Sequence, residues 1–227
     1  MISVDTVYQR VLAILNKENR GYMTPQEFNL LANQAQLEVF EQYFYDLNQF
    51  NRMGEITNEF ANIVKNIKEK INLFKTNATL TKSSDKFILP NNLYRLGTVY
   101  YNDYIEVEEV NENELLFINQ SPLTRPDSTR PLYVRTGNRI AVYPSGITSN
   151  IKCSLIISPA RPNWAYEEVN NTPMYDSTNS TDFELHESDE TTIVYKILSY
   201  AGLVIKQPEI SQVAEQKDSI KTQKEKS

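Results

Sequence analysis

The tetrapeptide Thr24-Pro25-Gln26-Glu27 constrains this chain more than any other stretch. Thr24 is a helix cap, Pro25 suits the first helical position, and Glu27 falls where an acid reaches back to the cap amide. Periodicity carries the helix so opened to about residue 51, near the upper range for a globular protein. Phe28, Leu31, Ala32, Ala35 and Val39 line one face, and Leu30, Leu37, Phe40, Phe44 and Leu47 line another. A helix apolar on two faces needs cover on two sides, from a partner helix and from something further. Two neighbouring stretches are suitable partners. Residues 3–17 carry Val4, Val7, Val11 and Ile14 in one stripe with Leu15 beside it, and Asn19, Arg20 and Gly21 end that helix. Residues 58–74 carry Phe60, Ile63, Val64, Ile67 and Ile71, while Lys65, Lys68 and Lys70 read as a solvated face rather than a nucleic-acid patch.

After these helices the hydrophobic period changes to two. Strands are expected at 78–81 and 86–89 around Ser83-Ser84-Asp85, and at 98–101 and 104–107 around Asn102-Asp103. A short helix is expected at 111–118, then a Pro-, Ser-, Thr- and Arg-rich loop at 121–131. Strands at 132–135 and 139–143 flank Gly137-Asn138, a two-residue turn. Ile151, Cys153, Leu155 and Ile157 alternate with polar residues, apart from Ile156, and describe a strand with one buried face. From Glu167 to Thr181 the sequence reads as a long exposed loop.

The chain then returns to helix. Phe183 and Leu185 suit a short extended lead-in, and Ser188 is the expected N-cap, with Asp189 and Glu190 in the first turn. Ile193, Ile197, Ala201 and Val204 form the apolar stripe, widened by Leu198 and Ile205. Pro208 stops that helix and opens a more polar one edged by Ile210, Val213 and Ala214. Helices, then an antiparallel β region, then helices make an α+β layout, divided on this reading into 1–76, 77–165, 166–186 and 187–227.

Composition narrows function more than fold. A net charge of −6 and a pI near 5.0 disfavour a protein whose task is gripping phosphate backbones. With mean hydropathy −0.49, no apolar run approaches the roughly 20 residues of a membrane helix, and no secretory signal is visible. One cysteine excludes a disulfide within the chain and a cysteine zinc site, and six glycines without a phosphate-loop motif argue against nucleotide binding. Glu106, Glu108, Glu109, Glu112 and Glu114 look like a metal cluster, but strand alternation and a helix start account for them as solvated acids. His186 sits among Glu184, Glu187, Ser188 and Asp189, yet one extended segment cannot supply triad geometry, so a surface histidine is expected. Cys153 is expected to be a buried structural thiol. Trp164 is either an anchor of a satellite core or a subunit contact. Tyr94, Tyr100, Tyr101, Tyr104, Tyr133 and Tyr143 suit a half-buried sheet better than a stacking surface for single strands.

Several motifs then fall in a telling order. They are Gly21-Tyr22-Met23-Thr24-Pro25-Gln26-Glu27-Phe28-Asn29, Leu89-Pro90 with Tyr94-Arg95-Leu96, and Asn138-Arg139-Ile140-Ala141-Val142-Tyr143-Pro144. Ile156-Ile157-Ser158-Pro159-Ala160-Arg161-Pro162 follows, and then Phe183-Glu184-Leu185 leading to Tyr200-Ala201-Gly202 and Pro208-Glu209-Ile210. In this order they resemble the head-to-tail adaptor, or connector ring, proteins of short-tailed bacteriophages, including ring proteins of crAss-like phages. The resemblance spans nearly the whole chain and implies a helix bundle with an inserted antiparallel β domain. It further implies a non-enzymatic virion protein without cofactor or metal, assembled in the host cytoplasm and placed at the portal vertex. Its partners on this reading are the portal protein, other tail or ring proteins, and copies of itself in a closed, typically dodecameric ring. Genomic DNA passes through the lumen unbound, and no membrane is involved. In some adaptors the C-terminal segment climbs onto the portal, which makes Ile210, Val213, Ala214, Ile220, Lys217, Lys221, Lys224 and Lys226 the candidate portal contacts. Leu37, Phe40, Phe44 and Trp164 are the candidate subunit contacts. The competing readings are a glycan-binding module for host surfaces and, less favoured by the charge, a DNA-binding assembly factor.

Overall fold

The structure, a computed structural model, describes residues 1–17, 23–53, 58–170, 172–204, 216, 217, 219 and 220. In chain order these form helices α1 (Val4–Lys17), α2 (Pro25–Met53) and α3 (Asn58–Asn72), then strands β1 (Lys75–Thr79), β2 (Thr81–Ser83), β3 (Lys86–Ile88), β4 (Leu93–Tyr101) and β5 (Ile105–Glu109). Helix α4 (Glu112–Gln120), β6 (Leu132–Thr136), β7 (Arg139–Tyr143), β8 (Ile151–Ile157), β9 (Tyr166–Val169) and β10 (Thr172–Tyr175) follow. A 3₁₀ turn (Glu187–Asp189) leads into α5 (Glu190–Val204). The chain is α+β, and it divides into a helical unit, Met1–Leu73 with Pro159–Ser227, and a β unit, Phe74–Ser158.

In the helical unit the capping box forms as its sequence dictates. The Thr24 amide donates to Glu27 Oε2 at 2.9 Å, and the Glu27 amide donates to Thr24 Oγ1 at 3.3 Å. The Thr24 amide, and after it the Thr24 hydroxyl that donates to the same Oε2 at 2.8 Å, hold the Glu27 carboxyl below its usual range. α2 packs against α3 and α5, and α1 packs against α5. α1 buries Val4, Val7, Tyr8, Val11 and Leu15, whereas Ile14 is exposed; the buried face is centred on Tyr8, one residue away from the expected stripe. α5 buries Ile193, Val194, Ile197, Leu198 and Ala201, and each fully covered Ile, Val or Leu contributes about 1.5–3 kcal/mol.

The stretch expected as a loop from Glu167 to Thr181 is a loop only from Asp176; before it β9 pairs with β10 as a hairpin, with Thr172 opposite Val169 and Tyr175 opposite Tyr166. Its anchor is Trp164, which stacks on Tyr166 and Tyr175 with centroids 5.8 and 5.7 Å away. Trp164 also touches Tyr8 at 4.5 Å and donates its indole N–H to Asp5 at 2.9 Å. Residues 159–165, expected in the β domain, therefore belong with the helices. A buried Trp with a satisfied N–H is a strong organising centre. The break expected at Asn19–Gly21 and the second C-terminal helix expected from Pro208 lie outside the described residues.

The β unit has strand order β1-β8-β4-β5-β6-β7-β3-β2. β1 and β2 end that order yet are separated in the chain by Leu80 alone, so the sheet has to curl until its two edges approach. Leu80 is buried at the switch and donates its amide to Ile151 O at 2.8 Å. A core of Phe87, Leu89, Val99, Val107, Ile140, Ile151, Cys153 and Leu155 fills the space that the curled sheet encloses. The turns follow their sequences: Ser84-Asp85 has φ of 50° and 65°, and Asn102-Asp103 has 51° and 71°. Asp85, Asn102 and Asp103 are of the types that adopt the left-handed backbone of a two-residue hairpin readily, and Ser84 is carried into it by the turn.

The expectation of an antiparallel domain needs one correction. β5 and β6 pair in parallel, with Glu108 opposite Leu132 and Glu109 opposite Tyr133. Parallel neighbours need a crossover, and the stretch 110–131 provides it, with α4 covering a small core of Val110, Leu115, Leu132 and Val134.

Candidate functional site

The helical unit holds a half-open groove of about 770 Å³, walled by α2, α3 and the segment leading into α5. α3 is responsible for the opening. Its stripe is strongly amphipathic, but α2 covers only part of it, so Ile63 and Ile67 remain half-buried along the wall. Asp46, Glu69 and Lys196 add charge, and Ser219 of the C-terminal segment lies against the same groove.

Three groups that are distant in sequence meet at its floor. Asp189 is 3% exposed. Its Oδ2 accepts the Tyr43 hydroxyl at 2.6 Å and its Oδ1 accepts the Lys70 ammonium at 2.8 Å. Lys70 also lies 5.6 Å from the centre of the Tyr43 ring. Asp189 was read as a first-turn acid and Lys70 as part of a solvated face. Instead the two form a buried latch tying α2, α3 and the start of α5 together. No local pattern marks such a cluster, because the partners come from three elements.

His186, not Ser188, caps the helical start. Its Nδ1 accepts the Ser188 amide at 3.2 Å and lies 2.9 Å from Ser188 Oγ. The neighbouring Asp189 carboxylate turns inward to Tyr43 and Lys70, so these residues do not assemble as a Ser-His-acid relay. A carboxylate already holding a phenol and an ammonium is occupied as a base.

Gln36 is a second buried polar group that sequence reasoning missed. Its amide nitrogen donates to Ala160 O at 2.6 Å and its oxygen accepts the Glu184 amide at 3.0 Å. The side chain clips the segment after β8 and the lead-in to α5 onto α2.

The candidate subunit contacts separate on burial. Phe40, Phe44 and Trp164 are 1%, 5% and 2% exposed, so they are core residues of the chain itself and are corrected as interface candidates. Leu37, at 37% exposed, remains on the surface. Of the candidate portal contacts, Lys217 lies over the Tyr195 ring at 5.7 Å and Ile220 is half-exposed. Ile210, Val213, Ala214, Lys221, Lys224 and Lys226 lie outside the described residues.

In the β unit the acids are accounted for individually. Glu106 and Glu108 are exposed, Glu109 accepts the Tyr133 hydroxyl at 3.0 Å, and Glu114 accepts the Asn111 amide at 3.1 Å. Burial and then the Glu109 contact hold the Tyr133 phenol protonated well above its usual range. Among the described residues no group of three His, Cys, Asp or Glu side chains is placed to hold a metal ion. Cys153 is buried, and that burial raises its thiol above the ordinary value.

The β unit instead presents apolar surface. Leu116 and Phe117 on α4 are 64% and 71% exposed, while Leu115 beside them enters the small core. Leu123, at 91%, and Tyr104, at 80%, line one concavity together. Of the six tyrosines read as a possible platform, Tyr104 alone is exposed. Among the described residues no helix is long and apolar enough to cross a membrane. No protein-family model matches the sequence, and comparison with curated proteins gives no match.

Proposed function

We propose that this protein is a non-enzymatic structural subunit of a bacteriophage virion. On this reading it is a head-to-tail connector that closes into a ring below the portal, extends the DNA channel and docks the next tail protein. The reading rests on the ordered motifs from Gly21 to Ile210, and one structural observation supports it above the rest. Leu116, Phe117 and Leu123 stand outward from a β unit that already has a complete core of its own. Leu116 and Phe117 are adjacent on α4, and large apolar side chains exposed in this way favour contacts with other proteins. A heterologous contact, repeated around an axis, closes a ring without further chemistry. The net charge of −6 suits a channel wall along which DNA slides with few ion pairs.

The test is the mass of the purified chain in solution, alone and with the portal protein of the same phage, by light scattering after size exclusion. A ring-sized species, or a monomer converted to one by the portal, is the expected result. The double substitution Leu116→Ser with Phe117→Ser should leave the monomer folded and reduce ring formation at least tenfold, taking the loss as about 1.4 kcal/mol or more per contact. A wild-type monomer that ignores the portal refutes the reading and turns the search to host-surface glycans.

A further inference from the structure

We infer that the groove of the helical unit is the seat of this chain's own C-terminal segment, so that in the free protein the tail is held in cis. Three observations carry this. The backbone at Gln216, Lys217, Ser219 and Ile220 is helical, so this part of the tail has a defined conformation. Ser219 lies against the groove, close to the wall that α3 leaves half-covered. Lys217 places its ammonium 5.7 Å from the centre of the Tyr195 ring on α5, an attraction of cation and ring face.

Charge favours the same occupant. The groove is lined by Asp46, Glu69 and Asp189 and by Lys70 and Lys196, the two lysines lying 2.8 Å from Asp189 and Glu38. Residues 215–227 carry Lys217, Lys221, Lys224 and Lys226 against Glu215, Asp218 and Glu225. A segment with one more base than acid, and with Ile220 as its apolar residue, complements a groove lined by one more acid than base around a partly apolar wall. A tail seated there blocks the groove and is itself withheld from other partners. Its release is then a step that any partner binding either surface has to drive. This inference concerns the free chain and stands whether or not the connector reading does.

The test is hydrogen–deuterium exchange on the full-length protein without any partner, beside the double variant Lys217→Glu with Ser219→Arg. The substituted residues are on the surface, and a thermal melt checks that the variant folds. In the wild type, peptides covering 215–222 should exchange at least about tenfold more slowly than an unstructured chain. In the variant that protection should disappear, peptides covering 62–70 of α3 should exchange faster, and those of the β unit should not change. Tail peptides exchanging at unstructured rates in the wild type overturn the inference. So does tail protection that survives in the variant, because the segment is then held somewhere other than this groove.

Discussion

Replacing Lys70 by Met isolates what the buried latch contributes. In the native chain the Lys70 ammonium lies 2.8 Å from Asp189, with side-chain exposures of 16% and 5%. Removing the cation leaves a buried carboxylate with the Tyr43 hydroxyl as its remaining partner among the contacts described here. Breaking a buried pair from one side costs about 3–5 kcal/mol. The retained phenol hydrogen bond, at 2.6 Å, places the expectation near the lower end, about 3 kcal/mol. Tyr43→Phe removes a hydrogen bond to a charged group and should cost about 1.5–3 kcal/mol. The double change Lys70→Met with Asp189→Leu removes both charges, and it should return to within about 1–2 kcal/mol of the native protein, because desolvation no longer opposes folding. The assay is urea denaturation followed by fluorescence of Trp164, the only tryptophan, which reports on the helical unit. A loss below about 1 kcal/mol for Lys70→Met, or a double variant no better than the single, refutes the latch.

Two further predictions test local structure. A Cβ at Gly97 falls 3.0 Å from the Ser154 carbonyl oxygen, where β4 and β8 run close at a register shift. Gly97→Ala should therefore destabilise the β unit by about 1–3 kcal/mol and speed labelling of the buried Cys153 thiol by about 5- to 150-fold; an unchanged rate refutes the close approach. Thr24→Ala should cost about 1 kcal/mol at neutral pH by urea titration. The folded chain holds Glu27 below its ordinary value of 4.5, so the unfolded chain binds more protons through that window. The cap's contribution is present above that value and is lost as pH falls through the folded one. The Thr24→Ala deficit should thus shrink as the pH falls below 4.5, and a deficit independent of pH would count against the capping box.

The local elements were legible because their causes are local. The capping box acts within four residues and set the start of α2. Asn102-Asp103, and Asp85 after Ser84, mark hairpins through the left-handed tolerance of Asn and Asp. The stripe on α5 needed only its spacing. The hairpin β9–β10 was missed because its polar sequence resembles a loop; its stability comes from Tyr166 and Tyr175 flanking Trp164, a side-chain contact that strand patterning does not register. A heavy aromatic bias near Trp164 was the available signal.

The sequence by itself determined that this chain is α+β, where most helices begin, and how several hairpins turn. The tertiary structure alone decided that β5 and β6 run parallel and that Leu80 divides one extended run between the two edges of the sheet. It also decided that Asp189 is a buried latch and that Phe40, Phe44 and Trp164 belong to the core. The physical reason is separation along the chain. Tyr43 and Lys70 reach Asp189 across 146 and 119 positions, and Gln36 reaches Glu184 across 148. A cap or a turn is specified by neighbouring residues, whereas the burial of a charge is specified only by the elements that close over it.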